Sequence, residues 1–316
     1  MPRALVFPGQ GAQYVGMGFE LAQEFPAARD VLDQADEALG FALSDVITNG
    51  PEDELKRTDI SQPAILTVSW MAYRVLERMV AQRGFVATAG LSLGEYTALL
   101  AAGSLEFADA VRLVRLRGEA MQAASEAEPS GMVVLVGAEE GLAAELCTAV
   151  AEGQVLQVAN LNSPGQVVIS GAQAACDRAI AMAKERGIRR AMPLPVAGAF
   201  HSALMAPAAE RLAAALEEVA IGDPQVPVYA NVSAEPVRDA ATARRLLIEQ
   251  LTAPVRWADS VRRMHADGID TFWELGPGKT LCGMISRTVK DVQVANIDQP
   301  QDALRLAKAQ AEEADP

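Results

Sequence analysis

Residues 4–7, Ala-Leu-Val-Phe, form an unbroken apolar run that stops at Pro8, as expected of a short strand covered on both faces. The loop Gly9-Gln10-Gly11-Ala12-Gln13 follows, and a helical region is predicted from there to about residue 40. A second helix is predicted over 61–82, where Ile65, Val68, Met71, Ala72 and Leu76 recur at helical spacing. Phe85-Val86-Ala87-Thr88 reads as a strand that leads through Gly90 into a sharp turn and another helix. In the second half, the pattern predicts an amphipathic helix over 204–219, a strand over 226–231, and a strand over 271–275 before Gly276-Pro277-Gly278. The ending, AKAQAEEADP, reads as a frayed, solvated tail.

Between 131 and 196 the rhythm changes. Strands are predicted over 132–136, 155–160, 166–170 and 189–196, with helices over 139–151 and 172–186. This β-α-β-β-α-β order is ferredoxin-like and can close a four-stranded sheet of its own. The pattern therefore predicts a small lobe, residues 129–196, inserted into an α/β core made of 1–128 and 197–316.

Composition agrees with such a globular α/β chain: half of the 316 residues are hydrophobic and only 5% are aromatic. The charge narrows the class of partner. With 41 acidic against 27 basic residues, the overall field opposes nucleic acid and anionic membranes, so an anionic ligand needs a local basic site. No stretch reaches the ~18 apolar residues of a membrane span, and the apolar run before Pro8 is too short for a signal peptide, which predicts a cytoplasmic protein. Cys147, Cys176 and Cys282 are scattered and offer neither a disulfide framework nor metal-ligand spacing. They read as small buried hydrophobes.

Two glycine motifs fail as nucleotide sites. Gly9-Gln10-Gly11 follows a strand, but the third glycine of a dinucleotide fingerprint would fall on Tyr14. Gly278-Lys279-Thr280 resembles the end of a P-loop, whose first glycine would fall on Trp273.

Gly90-Leu91-Ser92-Leu93-Gly94 fits G-x-S-x-G between a predicted strand and a helix, the context of a nucleophile elbow. Such a turn lifts the serine hydroxyl clear of the sheet and aims helix N-terminal N–H groups at a developing oxyanion. An ordinary Gly-Ser turn has the same spelling. A serine nucleophile needs a base, and the chain has two histidines. His265 lies in the polar stretch Arg262-Arg263-Met264-His265, where a solvated role suffices. His201, in Gly198-Ala199-Phe200-His201-Ser202, falls where the chain returns to the core after the lobe, and is the better base.

VFPGQGAQ, GLSLGEYTAL, VRLRGEAM, NSPGQVVISG, FHSALM, PVRW and ELGPGK occur in that order from residue 6 to residue 279. Together they resemble the malonyl-CoA:acyl carrier protein transacylases and the acyltransferase domains of fatty acid and polyketide synthases. The resemblance implies an α/β-hydrolase-like core with an inserted ferredoxin-like subdomain. It implies transfer of malonyl from malonyl-CoA to the phosphopantetheine thiol of acyl carrier protein through a malonyl-serine intermediate, without a metal or cofactor.

Carried over by position, the resemblance makes Ser92 the nucleophile and His201 the base, oriented by a backbone carbonyl at Gln250 instead of a carboxylate. The oxyanion hole falls on the backbone N–H groups of Gln10 and Leu93. Arg117 takes the role of holding the substrate carboxylate, for which a planar guanidinium fork is suited. Leu91, Asn160, Asn162 and Phe200 are implied to line or support the pocket.

The chain departs from the family pattern at Leu91, where histidine is common, and at Gly198 in the selectivity signature ending at His201. Ala199-Phe200-His201 agrees with malonyl selection, with Phe200 filling the space of an α-methyl branch. An α/β-hydrolase passing the acyl group to water, and a silent scaffold of the same fold, are the competing readings. FPGQG, the inserted lobe and Arg117 favour the transferase over the first. The joint presence of Ser92, His201 and Arg117 opposes the second.

Overall fold

A computed structural model describes residues 2–79 and 84–314. Ten strands occur among them: β1 Arg3–Phe7, β2 Ala87–Gly90, β3 Ser130–Val136, β4 Leu156–Ser163, β5 Gln166–Ala172, β6 Arg190–Pro193, β7 Val228–Tyr229, β8 Pro236–Val237, β9 Thr271–Leu275 and β10 Gln293–Ile297. They form a six-stranded sheet in the order β10-β9-β1-β2-β7-β8 and a separate four-stranded sheet in the order β4-β5-β3-β6.

The larger sheet is parallel except for β8, which pairs antiparallel with β7 at the edge. Its centre explains the apolar run at the chain start. Leu5 and Phe7 belong to one hydrophobic cluster, while Ala4 and Val6 belong to another on the opposite face. Both faces of β1 are therefore covered, and alternation has no polar side to report. Burying one Leu or Phe side chain in this way contributes roughly 1.5–3 kcal/mol, enough to fix the register against β2 and β9.

The smaller sheet is antiparallel throughout and is built only from strands within 130–193, with helices Glu140–Val150 and Gln173–Met182 supplying a third hydrophobic cluster. Its strand order is that of a ferredoxin-like fold. β4 also reaches the rest of the molecule, since the Leu161 N–H donates to the Val255 carbonyl at 2.9 Å and the Val255 N–H to the Ala159 carbonyl at 2.8 Å. This isolated rung ties the β4 segment that carries Asn160 and Asn162 to the chain at Val255, just before helix Trp257–Ala266, and both asparagines line the cleft described below.

Several predicted boundaries move. The strand expected over 85–88 lies at Ala87–Gly90, because the β1 register runs from Ala4 opposite Ala87 to Phe7 opposite Gly90. Phe85 instead packs edge-on against Tyr73, and Val86 is left exposed. The helix expected over 61–82 begins at Thr58 and is described to Met79; residues 80–82 lie outside the described residues. The strand expected over 226–231 shrinks to Val228–Tyr229, and β8 and β10 went unpredicted. The ending expected to fray, 307–316, is helical as far as Ala314: it continues the helix Pro300–Ala314, which Ala303 and Leu306, just upstream of that ending, bury in the main cluster, and residues 315–316 lie outside the described residues. Its residues are good helix formers, and the two anchors hold the helix against the core.

Candidate active site

The end of β2 and the helix Gly94–Ala101 meet at Ser92, which holds φ 51° in the left-handed region. A non-glycine residue there is strained and persists only where surrounding bonds fix it. Here the Ser92 N–H donates to Asn231 Oδ1 at 2.6 Å, and the Ser92 carbonyl accepts from the Glu95 N–H at 3.1 Å. The flanking glycines are steric requirements. A Cβ on Gly90 would overlap the Gly94 backbone, and one on Gly94 would overlap the Phe7 carbonyl at the end of β1. A Cβ on Gly9 would approach the Leu91 carbonyl to 2.5 Å, so the Gly9-Gln10 loop lies directly against the elbow.

Ser92 Oγ lies 2.8 Å from His201 Nε2. The other ring nitrogen, Nδ1, is 2.8 Å from the Gln250 carbonyl oxygen. A carbonyl only accepts, so Nδ1 carries the proton and Nε2 presents its lone pair to the serine hydroxyl. His201 also sits at positive φ, 57°, and its loop is tied by Gln157 of β4. Gln157 Nε2 donates to the His201 carbonyl at 3.4 Å, and Gln157 Oε1 accepts from the Ala203 N–H at 3.1 Å. Burial, then the Arg117 charge, lowers the His201 pKa from 6.5 to about 4, against an opposing hydrogen bond to Gln250. The imidazole is therefore neutral near pH 7 and able to accept a proton.

Arg117 is 1% exposed in the middle of helix Phe107–Ala127. Gly118 beside it allows this helix to touch the start of helix Thr58–Met79, since a Cβ there would come within 2.6 Å of the Thr58 carbonyl. Across that contact Arg117 Nη1 donates to Gln62 Oε1 at 2.7 Å, and Nη2 donates to Gln250 Oε1 at 3.0 Å and to Ser92 Oγ at 3.1 Å. Its Nε–H is buried without a partner among the described residues. Burial pulls its pKa down, but a guanidinium remains charged over the working range. A buried, incompletely paired cation facing a cleft is a receptor for an anion.

Gln10, Leu91, Ser92, Leu93, Arg117, Asn160, Asn162, Phe200 and His201 all line one cavity of about 220 Å³. Gln250 stands behind it, bonded to His201 and Arg117. Asn162 Oδ1 is buried there with no partner among the described residues, leaving an acceptor for a donor group of a bound molecule. His265 is elsewhere, exposed on helix Trp257–Ala266 with only a 3.4 Å contact to the Ile269 carbonyl. The three thiols are also outside the cavity, and burial pushes them up to about 12 for Cys147, 11 for Cys176 and 12 for Cys282. Among the described residues no group of His, Cys, Asp and Glu could hold a metal ion.

Sequence reasoning missed Gln62, Glu95, Gln157 and Asn231. Glu95 and Asn231 form the floor of the elbow. Asn231 Nδ2 donates to the Gly90 carbonyl at 2.7 Å, and its N–H donates to Glu95 Oε2 at 3.0 Å. Two signals were available: Glu95 is a charged residue directly after the elbow glycine, and Asn231 is a polar residue ending a buried strand run.

The acyl transferase domain family model matches residues 4–309. The malonyl CoA-acyl carrier protein transacylase of Bacillus subtilis is 44% identical over 299 residues, covering 94% of this chain and 94% of the relative. The acyl-carrier-protein S-malonyltransferase structure from Bartonella henselae superposes with a TM-score of 0.95 at 41% identity, covering 98% of this chain and 100% of that one. A malonyl-transacylase solved in complex with its type II polyketide synthase acyl-carrier protein gives 0.95 at 38% identity, with 98% and 100% covered. Matched over nearly its whole length by a family of acyl-transferring enzymes, and carrying a serine, a neutral histidine and a buried arginine in one cavity, the chain belongs to the acyl transferase domain family.

Proposed function

We propose that this acyltransferase moves a malonyl group from malonyl-CoA to the phosphopantetheine thiol of an acyl carrier protein, through a malonyl ester on Ser92. The observation that carries the reading is the convergence of Ser92, His201 and Arg117 within hydrogen-bond distance of one oxygen, Ser92 Oγ. Attack and carboxylate recognition then occur in one small space.

In the first half-reaction Ser92 Oγ attacks the thioester carbonyl while His201 Nε2 takes its proton. The Gln250 carbonyl holds the Nδ1–H and stabilises the imidazolium that forms. Negative charge develops on the thioester oxygen, for which the Leu93 and Gln10 backbone N–H groups are the assigned donors. When the C–S bond breaks, His201 returns the proton to the coenzyme A thiolate. In the second half, His201 takes the proton of the carrier's thiol, the sulfur attacks the malonyl ester, and the proton passes back to Ser92 Oγ as the C–O bond breaks.

Arg117 selects for a carboxylated acyl group, because an uncharged acyl chain would leave its cation unpaired. Phe200, 5% exposed, narrows the cavity beside the acyl group. The core of 1–128 and 197–316 supplies Ser92, His201 and Arg117, and the lobe of 129–196 supplies Asn160 and Asn162 from the facing wall. A cytoplasmic location belongs to the same reading and accords with three free cysteines. Among the described residues, no helix is long and apolar enough to cross a membrane.

Intact mass spectrometry after addition of malonyl-CoA, and then of carrier protein, tests the proposal. A malonyl adduct absent from Ser92→Ala and discharged on addition of the carrier is expected. An adduct that disappears into water at the same rate without the carrier would make the protein a hydrolase.

A further inference from the structure

Glu95 has no part in the mechanism above, yet it is the acidic side chain in the buried network beneath Ser92. It sits in the first turn of the helix Gly94–Ala101 and is 3% exposed. Its Oε2 accepts from the Asn231 N–H at 3.0 Å and from Gln250 Nε2 at 2.8 Å. The second bond is the shortest of those that orient the Gln250 amide. A side-chain amide has a donor end and an acceptor end, and the donor end is committed to Glu95 and to the Ser92 carbonyl at 3.1 Å. The acceptor end, Oε1, is thereby turned to Arg117 Nη2 at 3.0 Å. Asn231 Oδ1 also accepts from Nε2, at 3.3 Å, but Glu95 is the shortest of the three contacts and the one that can carry charge, so losing it removes the strongest restraint against a flipped amide that would set an N–H donor against the guanidinium.

Resting on the malonyl reading above, we propose that Glu95 is a positioning residue for Arg117: by holding the Gln250 amide it fixes the guanidinium in the orientation that receives the substrate carboxylate. The acceptors Arg117 has in the structure, Gln62 Oε1, Gln250 Oε1 and Ser92 Oγ, are all neutral. The negative charge that faces it in this network is the Glu95 carboxylate. Burial raises the Glu95 pKa to about 7, while its hydrogen bonds and the Arg117 charge hold it from rising further. In its ionised form Glu95 thus reaches the arginine both through Gln250 and through the low-dielectric interior, and in either form it keeps an acceptor for the Gln250 amide.

The test is single-turnover acylation of Ser92 by malonyl-CoA and by acetyl-CoA in the full-length enzyme, read as the ratio of the two rates. Glu95→Met fills the space but removes the acceptor, and Glu95→Gln keeps one. The Met variant is expected to lower the malonyl-to-acetyl ratio at least about tenfold, the scale of one buried charge-assisted hydrogen bond. The Gln variant is expected to restore most of it. In an Arg117→Ala background Glu95→Met should leave the ratio unchanged, because the arginine it positions is gone. A purely structural Glu95 would slow both donors alike in both backgrounds, and that result overturns the role.

If Glu95→Met does not fold, as judged by its thermal midpoint, Gln250→Met breaks the relay one step later and leaves the backbone carbonyl on His201. An unchanged ratio in that variant overturns the role equally. Absence of a malonyl adduct on the unsubstituted enzyme would overturn the proposed function and this role with it, whereas an adduct with unaltered ratios overturns the role alone.

Discussion

Arg117 Nη2 lies 3.1 Å from Ser92 Oγ, so the guanidinium assigned to the substrate carboxylate also touches the oxygen assigned to attack. The hydroxyl accepts from Arg117 and donates to His201, which fixes its rotamer before substrate arrives. The same proximity lowers the basicity of His201, and a bound carboxylate would offset that charge. In the proposed mechanism, substrate recognition and proton transfer are thus coupled electrostatically.

Replacing Arg117 by Ala is expected to invert donor selectivity. Malonyl transfer should fall about a hundredfold or more, since the substrate carboxylate would become the unpaired buried charge, a penalty of about 3–5 kcal/mol. Acetyl transfer should fall far less or rise. Single-turnover acylation by the two donors measures this, and equal losses for both would make Arg117 structural.

The two histidines should behave oppositely. His201→Ala removes the group 2.8 Å from Ser92 Oγ and is expected to slow acylation at least about 10³-fold. His265→Ala is expected to leave acylation unchanged and stability within about 0.5 kcal/mol, because the side chain is exposed and weakly bonded. Comparable losses from the two substitutions would remove the reason for choosing His201.

The acid limb of kcat/KM should lie well below the ordinary histidine pKa. Protonated His201 cannot take the serine proton, so the rate falls as pH drops through its pKa, which burial and then Arg117 lower from 6.5 to about 4. Arg117→Ala removes one of the two lowering causes and should move the limb upward, while burial keeps it below 6.5. With acetyl-CoA as donor, the acyl group's own carboxyl plays no part. A limb near 6.5 that Glu95→Gln leaves in place, or one unmoved by Arg117→Ala, contradicts the assignment.

Gly198 is fixed by packing against Ser125. A Cβ there would overlap Ser125 Oγ and come within 2.5 Å of its Cβ, and Ser125 is itself held by a 2.8 Å bond to the Met121 carbonyl. Gly198→Ala is expected to cost about 1–3 kcal/mol in denaturant unfolding, as overpacked core sites do. Adding Ser125→Gly should recover most of that loss. Full stability of the single variant would show that the loop before His201 yields without cost.

The chain by itself determined the elements with strong local causes. The apolar run 4–7, the G-x-S-x-G turn and the alternation within 131–196 each carry their structure in their own spacing, because burial on both faces, a tight turn and a half-buried sheet leave distinct periods. Through its motifs it also pointed to Ser92, His201, Arg117 and Gln250. Tertiary structure alone decided how those residues meet, since Ser92 and His201 are 109 positions apart and Ser92 and Gln250 are 158 apart. It also decided that Gln62, Glu95, Gln157 and Asn231 belong to the same network. Each is a single polar side chain whose partners lie on other elements, and a buried hydrogen bond between distant residues leaves no period in the sequence. The tail shows the same limit from the other direction. Its composition describes a frayed segment, and only the packing of Ala303 and Leu306, just upstream of it, into the core anchors the helix that runs on to Ala314.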